Sequence, residues 1–474
     1  MTGVASSFPL QALAGWETAV LVYFLAVNSF YLLLLFSAAT SLRRHAHVVW
    51  GETRERLLGS RVTPRISVLA PAYNEAATVA ESVRALLTLR YPNLEVVLVN
   101  DGSPDETLEV VGREFDLVPI HPVFRREVDS VSVRGLYRSR VRAELVVVDK
   151  HNGGKADALN AGLNVASGEL ICAIDADTLI EPDALLRMVR PFLESDDVVA
   201  TGGTIRVANG SSVRAGRVVD PIAPRRWLAG VQSIEYLRAF LFGRLGWNRL
   251  GGNLIISGAF GLFRRDAMVA AGGYVHDTVG EDMELVASLR RGGIEHGGPS
   301  EVRFVPDPVA WTEVPESLRA LGRQRDRWQR GLADVLWRHR RVLGNPRYRA
   351  LGLAVFPYFV AVELLGPVIE ALGLVGLAAA LLLGAVDGSF ALIFFLAAYG
   401  YGLVLSAATL LLEEWGARRY RRFRDRLICI PWAIVESLGY RQLTVVWRLR
   451  GLWRYLRGRS DWGAMARRGF SAES

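Results

Sequence analysis

Residues 145–177 read LVVVDKHNGGKADALNAGLNVASGELICAIDAD, a strand, a glycine turn, a helix and a second strand in succession. Leu145 to Val148 is a short β-branched run, Ala156 to Ala166 has helical composition, and Leu170 to Ile174 is again short and apolar. That order is the βαβ unit of a largely parallel sheet. Ligands of open α/β sheets bind beyond the carboxyl ends of strands. Asp175 and Asp177 follow the second strand directly. Two carboxylates one residue apart suit a hard divalent cation, whose octahedron a diphosphate completes. An Asp-x-Asp pair alone is also a common feature of turns, so its weight depends on its neighbours.

The same alternation extends outward from Arg65 to about Trp311. Ile66 to Ala70 and Leu94 to Asn100 read as strands, and Ala77 to Leu89 as a helix. Ala70-Pro71-Ala72-Tyr73-Asn74-Glu75 follows the first strand and Val99-Asn100-Asp101-Gly102-Ser103 the second. A nucleotide base fits such strand-end loops. Downstream stand Ile256-Ser257-Gly258-Ala259-Phe260, Val279-Gly280-Glu281-Asp282 and Gln324-Arg325-Asp326-Arg327-Trp328. The arginine-rich stretch from about Arg113 to Ala143 does not fit the alternation and reads as a basic insertion.

Basic residues are almost all arginine. The only lysines are Lys150 and Lys155, five positions apart. Coding bias alone seldom leaves two survivors so close together. The spacing points to a place that needs a compact ammonium and not a planar fork.

Net charge is +8, yet nothing in the pattern reads as a nucleic-acid module. The arginines flank apolar runs, where anionic lipid heads are the natural partners. Cys172 and Cys429 are too far apart in sequence to suggest a zinc site or a disulfide framework. Residues 18–40 are apolar over about 20 positions, enough to span a bilayer. Arginines follow, so the positive-inside rule places 1–17 outside and the basic linker 41–64 inside. Residues 313–350 form an amphipathic region suited to an interface. The run from Leu351 to Val386 would reach roughly 50 Å as one helix, against a hydrocarbon core of about 30 Å. With Pro367 midway, 351–412 reads as an interfacial half-helix and two crossings. Residues 413–474 read as a basic cytosolic loop, an interfacial or re-entrant helix and a tail.

Taken together, five motifs in order resemble the processive family 2 glycosyltransferases, the cellulose, chitin, hyaluronan and poly-N-acetylglucosamine synthases. The resemblance implies a GT-A nucleotide-sugar-binding domain over 65–312, α/β in class and flanked by transmembrane helices. It implies inverting transfer from a UDP-sugar to a growing polysaccharide or glycolipid, with the catalytic domain on the cytosolic side of a multi-pass plasma (inner) membrane protein. Pro71, Tyr73, Glu75 and Asp101 would bind the donor with Lys155, Asp175, Gln324 and Arg327. Asp175 and Asp177 would hold Mg2+ or Mn2+, and Asp282 would be the general base. Ser257, Gly258, Glu281 and Trp328 would meet the acceptor. So few helices leave room for a small membrane or export partner.

Two other readings share parts of this pattern. One is transfer of a single sugar to a lipid phosphate, which does not ordinarily need Gln-x-x-Arg-Trp. The other is a non-catalytic assembly subunit, against which the intact Asp175, Asp177, Asp282 and Arg327 set speaks. Product length separates the first from polymer synthesis, and failure to turn over any UDP-sugar would favour the second.

Overall fold

A computed structural model describes residues 8–49, 63–175, 178–214, 216–416, 420 and 422–458. Asp177, most of the basic linker and the tail from residue 459 lie outside the described residues.

The strands are β1 (Ile66–Ala72), β2 (Leu94–Asp101), β3 (Leu117–Ile120), β4 (Val133–Ser139), β5 (Leu145–Lys150) and β6 (Leu170–Ile174). They continue as β7 (Leu179–Ile180), β8 (Val198–Val207), β9 (Ser212–Arg214), β10 (Arg217–Asp220), β11 (Phe260–Arg264) and β12 (Glu301–Thr312). Ten of them form one sheet in the order β3-β4-β5-β2-β1-β6-β11-β8-β12-β7, and β9 and β10 form a separate hairpin. β5, β2, β1 and β6 run parallel. β11 lies antiparallel to β6 and β8.

Parallel strands covered on both faces are apolar at every position and not at alternate ones. In β1, Val68 and Ala70 join the core beneath the helix Val79–Leu86, with Val83 and Leu86. Leu69 faces the other layer, where Leu159 and Leu163 of the helix Lys155–Val165 cover it.

The arginine-rich stretch read as an insertion is instead the edge of the sheet. β3 pairs with β4, and β4 pairs antiparallel with β5. Arg134 reaches Asp149 at 2.7 Å. β3 is only four residues long, and β4 leaves Arg134 and Arg138 exposed, so this part lacks the continuous apolar pattern of the central strands.

The helix Phe8–Val49 is fastened to the rest of the chain. Val20 and Phe24 pack on Phe394 and Ala397. Gly246 lies against Leu34, where a Cβ would come within 2.6 Å of the Leu34 carbonyl oxygen. Among the described residues two helices, Leu10–Arg43 and Gly388–Glu414, are long and apolar enough to cross a membrane. A third candidate is the pair Leu351–Leu364 and Gly366–Leu382, bent by 44° where they meet. The last apolar stretch is broken too. Helix Phe423–Val435 gives way at Leu438 and Gly439, where Gly439 takes φ 109°, and helix Arg441–Leu456 follows.

Candidate active site

Four sequence motifs converge at the carboxyl edge of the central strands. β5 ends at Lys150, and the chain turns through His151 to Gly154 into the helix that begins at Lys155. Gly154 has φ +87°, a conformation that costs glycine little and other residues more. Asp101, at the end of β2, fixes this turn. Its carboxylate accepts from Gly153 N at 3.0 Å, from Gly154 N at 2.8 Å and from Lys150 Nζ at 2.5 Å. Asp101 is only 3% exposed. Lys150 is fully buried and also meets Asp157 at 2.6 Å. One lysine is therefore a keystone beneath the loop, while the other enters the site.

Lys155 Nζ lies 2.6 Å from Asp175 Oδ1 and 3.6 Å from Glu281 Oε1. Burial opposes its charge, but Asp175, Glu281 and Asp282 outweigh that and hold the ammonium above its ordinary pKa. Glu281 is pushed up, first by burial and then by neighbouring Asp282, although Lys155 pulls it down. Three carboxylates thus surround one ammonium. Asp282 Oδ2 accepts from Gly258 N at 3.0 Å. A Cβ on Gly258 would stand 3.2 Å from Lys155 Nζ, so this glycine leaves the ammonium its space.

The helix Glu281–His296 starts at this cluster. Gly280 abuts Gly331 of the helix Leu318–Arg338, and a Cβ on either would come within 3.0 Å of the other's Cα. Two glycines back to back thereby bring the Glu281-Asp282 turn against the helix that carries Gln324, Arg327 and Trp328. The amide oxygen of Gln324 is enclosed without a hydrogen-bond partner among the described residues. Trp328 is 44% exposed.

Pro71, Tyr73 and Glu75 line the end of β1. Tyr73 is half exposed, whereas the Glu75 carboxylate accepts from Thr78 Oγ1 at 2.7 Å. Ser257 and Gly258 precede β11 beside β6.

Four residues of consequence had not been singled out. Arg244, stacked 3.9 Å from the Phe240 ring centroid, has its Nη1 enclosed without a partner among the described residues. Burial lowers its pKa to about 10, and the charge that reaches it most is that of Asp282. Glu235, Arg325 and Tyr440 form a cluster beside Trp328. Glu235, Arg325 and Tyr440 meet from elements far apart in the chain, so no local pattern marks their cluster.

An all-oxygen set with excess negative charge is the environment that hard divalent cations take. Asp175 opens toward solvent with a quarter of its side chain exposed. The described residues contain no group of three or more His, Cys, Asp or Glu side chains that could hold a metal ion, and Asp177 lies outside them. Asp175 would hold such a cation only together with oxygens from a bound ligand or from Asp177.

Residues 64–331 match the family described as "Glycosyltransferase like family 2". Over 274 residues the chain is 30% identical to a poly-beta-1,6-N-acetyl-D-glucosamine synthase of Staphylococcus epidermidis, which covers 58% of this chain and 56% of that protein. The protein of the same name from another strain of that species is 32% identical over 273 residues, with the same coverage of both chains. The chain therefore matches little more than half the length of these curated relatives. Among solved structures it is similar to a mannosyltransferase of Pyrobaculum calidifontis in complex with GDP-Man and Mn2+. That likeness has a TM-score of 0.50 at 22% identity and covers 91% of this chain and 99% of the other. It is a likeness of fold, the GT-A arrangement. Since the matched stretch takes in more than half of the residues and every motif gathered at the sheet edge, the chain belongs to glycosyltransferase family 2.

Proposed function

We propose that this chain is a membrane-embedded, inverting, metal-dependent synthase that transfers sugar from a UDP-sugar to a growing polysaccharide on the cytosolic side. The observation that carries this reading is the cluster of Lys155, Asp175, Glu281 and Asp282, with Lys155 Nζ 2.6 Å from Asp175. Asp282 is the base that takes the acceptor hydroxyl proton as the anomeric carbon is attacked. The amide of Gly258 orients it. Lys155 faces the diphosphate, with Gln324 and Arg327 contributing from the helix behind. Tyr73, Glu75 and Pro71 flank the nucleoside, and Asp101 acts through the loop it fixes. Trp328 offers a flat apolar face on which the terminal sugar stacks. Asp175, with Asp177, would hold Mg2+ or Mn2+, which neutralises charge on the departing diphosphate. Ser257 and Glu281 border the acceptor.

The two apolar helices, with arginines following each and the bent pair crossing between them, support a multi-pass protein whose catalytic domain faces the cytosol. The names of the relatives make UDP-N-acetylglucosamine the first donor to assay. The experiment is product sizing from purified protein supplied with a panel of UDP-sugars. A polymer supports the reading, and hydrolysis without transfer overturns it.

A second reading, single transfer to a lipid phosphate, draws on Arg244. Its Nη1, enclosed without a hydrogen-bond partner among the described residues and subject to the charge of Asp282, suits an anionic acceptor. A product one sugar long, carried by the lipid fraction, would establish it over polymer synthesis.

A further inference from the structure

The helix break at Leu438 and Gly439 lies between two docked helices. Before it, Trp432 packs where a Cβ on Gly230 would stand, and its Nε1 donates to the Pro224 carbonyl at 3.2 Å. After it, Trp447 packs in the same way against Gly322. One half therefore docks on the helix Trp227–Leu237 and the other on the helix Leu318–Arg338. Tyr440 emerges at the break and reaches both.

Tyr440 is 2% exposed, and its hydroxyl donates to Glu235 Oε2 at 2.7 Å. Arg325 Nη2 donates to the same carboxylate at 2.5 Å and to the Tyr440 oxygen at 3.1 Å. Arg325 is 3% exposed, and its Cζ lies 4.1 Å from the centre of the Trp328 ring. Its Nε and Nη1 have no hydrogen-bond partner among the described residues, so the aromatic face is what they meet. A guanidinium stacked on an indole is attracted to the ring's negative face. It also covers that face. Trp328 nevertheless keeps 44% of its surface exposed, so the stacked guanidinium does not cover the whole side chain.

We infer that Arg325, Glu235 and Tyr440 form a clamp that fixes the Trp328 ring and leaves one face of it to the terminal sugar of the acceptor. The inference rests on the reading of Trp328 as the acceptor's stacking surface. These are positioning residues, because none need touch substrate. The clamp also ties acceptor handling to the C-terminal helices: a change at the Gly439 break reaches Trp328 through the Tyr440 hydroxyl.

The test compares Tyr440→Phe, Glu235→Gln, Trp328→Ala and the double variant Tyr440→Phe/Trp328→Ala in the full chain. Product length is read, or acceptor KM if the product is one sugar long, together with donor KM. A lost aromatic contact corresponds to a change of about 2- to 10-fold. The expected result is a change of that size in length or acceptor KM for each single variant, with donor KM within about twofold. The double variant should behave like Trp328→Ala alone, because residues acting through one another are not additive. If Trp328→Ala shortens the product while Tyr440→Phe and Glu235→Gln match wild type, the clamp is overturned and the stacking role stands. An additive double variant also overturns it, making Tyr440 purely structural. If Trp328→Ala itself matches wild type, the stacking role falls, and the clamp with it.

Discussion

Charge is handled in opposite ways at the sheet edge and among the C-terminal helices. At the edge, Asp175, Glu281 and Asp282 share Lys155, and the balance is left negative. Where the C-terminal helices pack, several buried or half-buried arginines are matched with one glutamate each. Arg206 meets Glu413 at 2.5 Å, Arg238 meets Glu436 at 2.5 Å and Arg441 meets Glu370 at 3.0 Å. In each of these closed pairs the carboxylate has a guanidinium of its own. A cluster with surplus carboxylate is stable only if something positive arrives or a proton is taken up. Charge that holds helices together is therefore distinguishable from charge that waits for a ligand.

The largest effect should come from depriving the edge of its cation. Excess chelator should stop transfer entirely, and added Mn2+ or Mg2+ should restore it, read as sugar released from the donor into product. Full activity in chelator would mean that the carboxylate surplus serves another purpose.

Next in size is the base. Asp282→Asn should lower turnover about 10²–10⁴-fold while UDP binding, measured by calorimetry, survives. Near wild-type turnover would remove Asp282 from the chemistry.

The closed pairs should behave differently. Arg206→Met should cost about 3–5 kcal/mol of stability, because it removes the guanidinium that faces the buried Glu413 carboxylate. Replacing both partners with apolar residues should recover most of that loss. Thermal unfolding in detergent reads both, and donor KM should stay unchanged in the double variant. A double variant as unstable as the single would show that the pair does more than satisfy itself.

The smallest effect should be Lys155→Arg. The wider guanidinium keeps the charge but loses the fit beside Gly258, where space is 3.2 Å from a would-be Cβ. Losing one hydrogen bond to a charged group corresponds to about a tenfold rise in donor KM. Unfolding temperature should hardly move. Lys150 should respond in the reverse way, losing stability when changed, because both of its carboxylates are buried with it.

Much of this was legible in the chain itself. β1, β2, β5 and β6 appear at or within two residues of the runs that announce them, because strands buried on both faces must be apolar throughout. The order of the motifs pointed to the sheet edge for the same reason: each follows a strand or opens a helix. β3 and β4 were not legible. β3 is only four residues long, and β4 leaves Arg134 and Arg138 exposed, which breaks the apolar run that betrays a strand.

By itself the sequence determined the βαβ alternation, the order of the carboxylate and Gln-x-x-Arg-Trp motifs, and the apolar runs long enough to cross a bilayer. It also marked the two lysines as a place of interest. Only the tertiary structure decided that Lys150 is buried between Asp101 and Asp157 while Lys155 faces Asp175. The same holds for Arg325, Glu235 and Tyr440, whose partners lie 90 and 115 residues from Arg325. Hydrophobic periodicity is written locally, since each strand or helix must show a face to the core. Charge pairing depends on distance through space and on burial, and neither exists until the elements have packed.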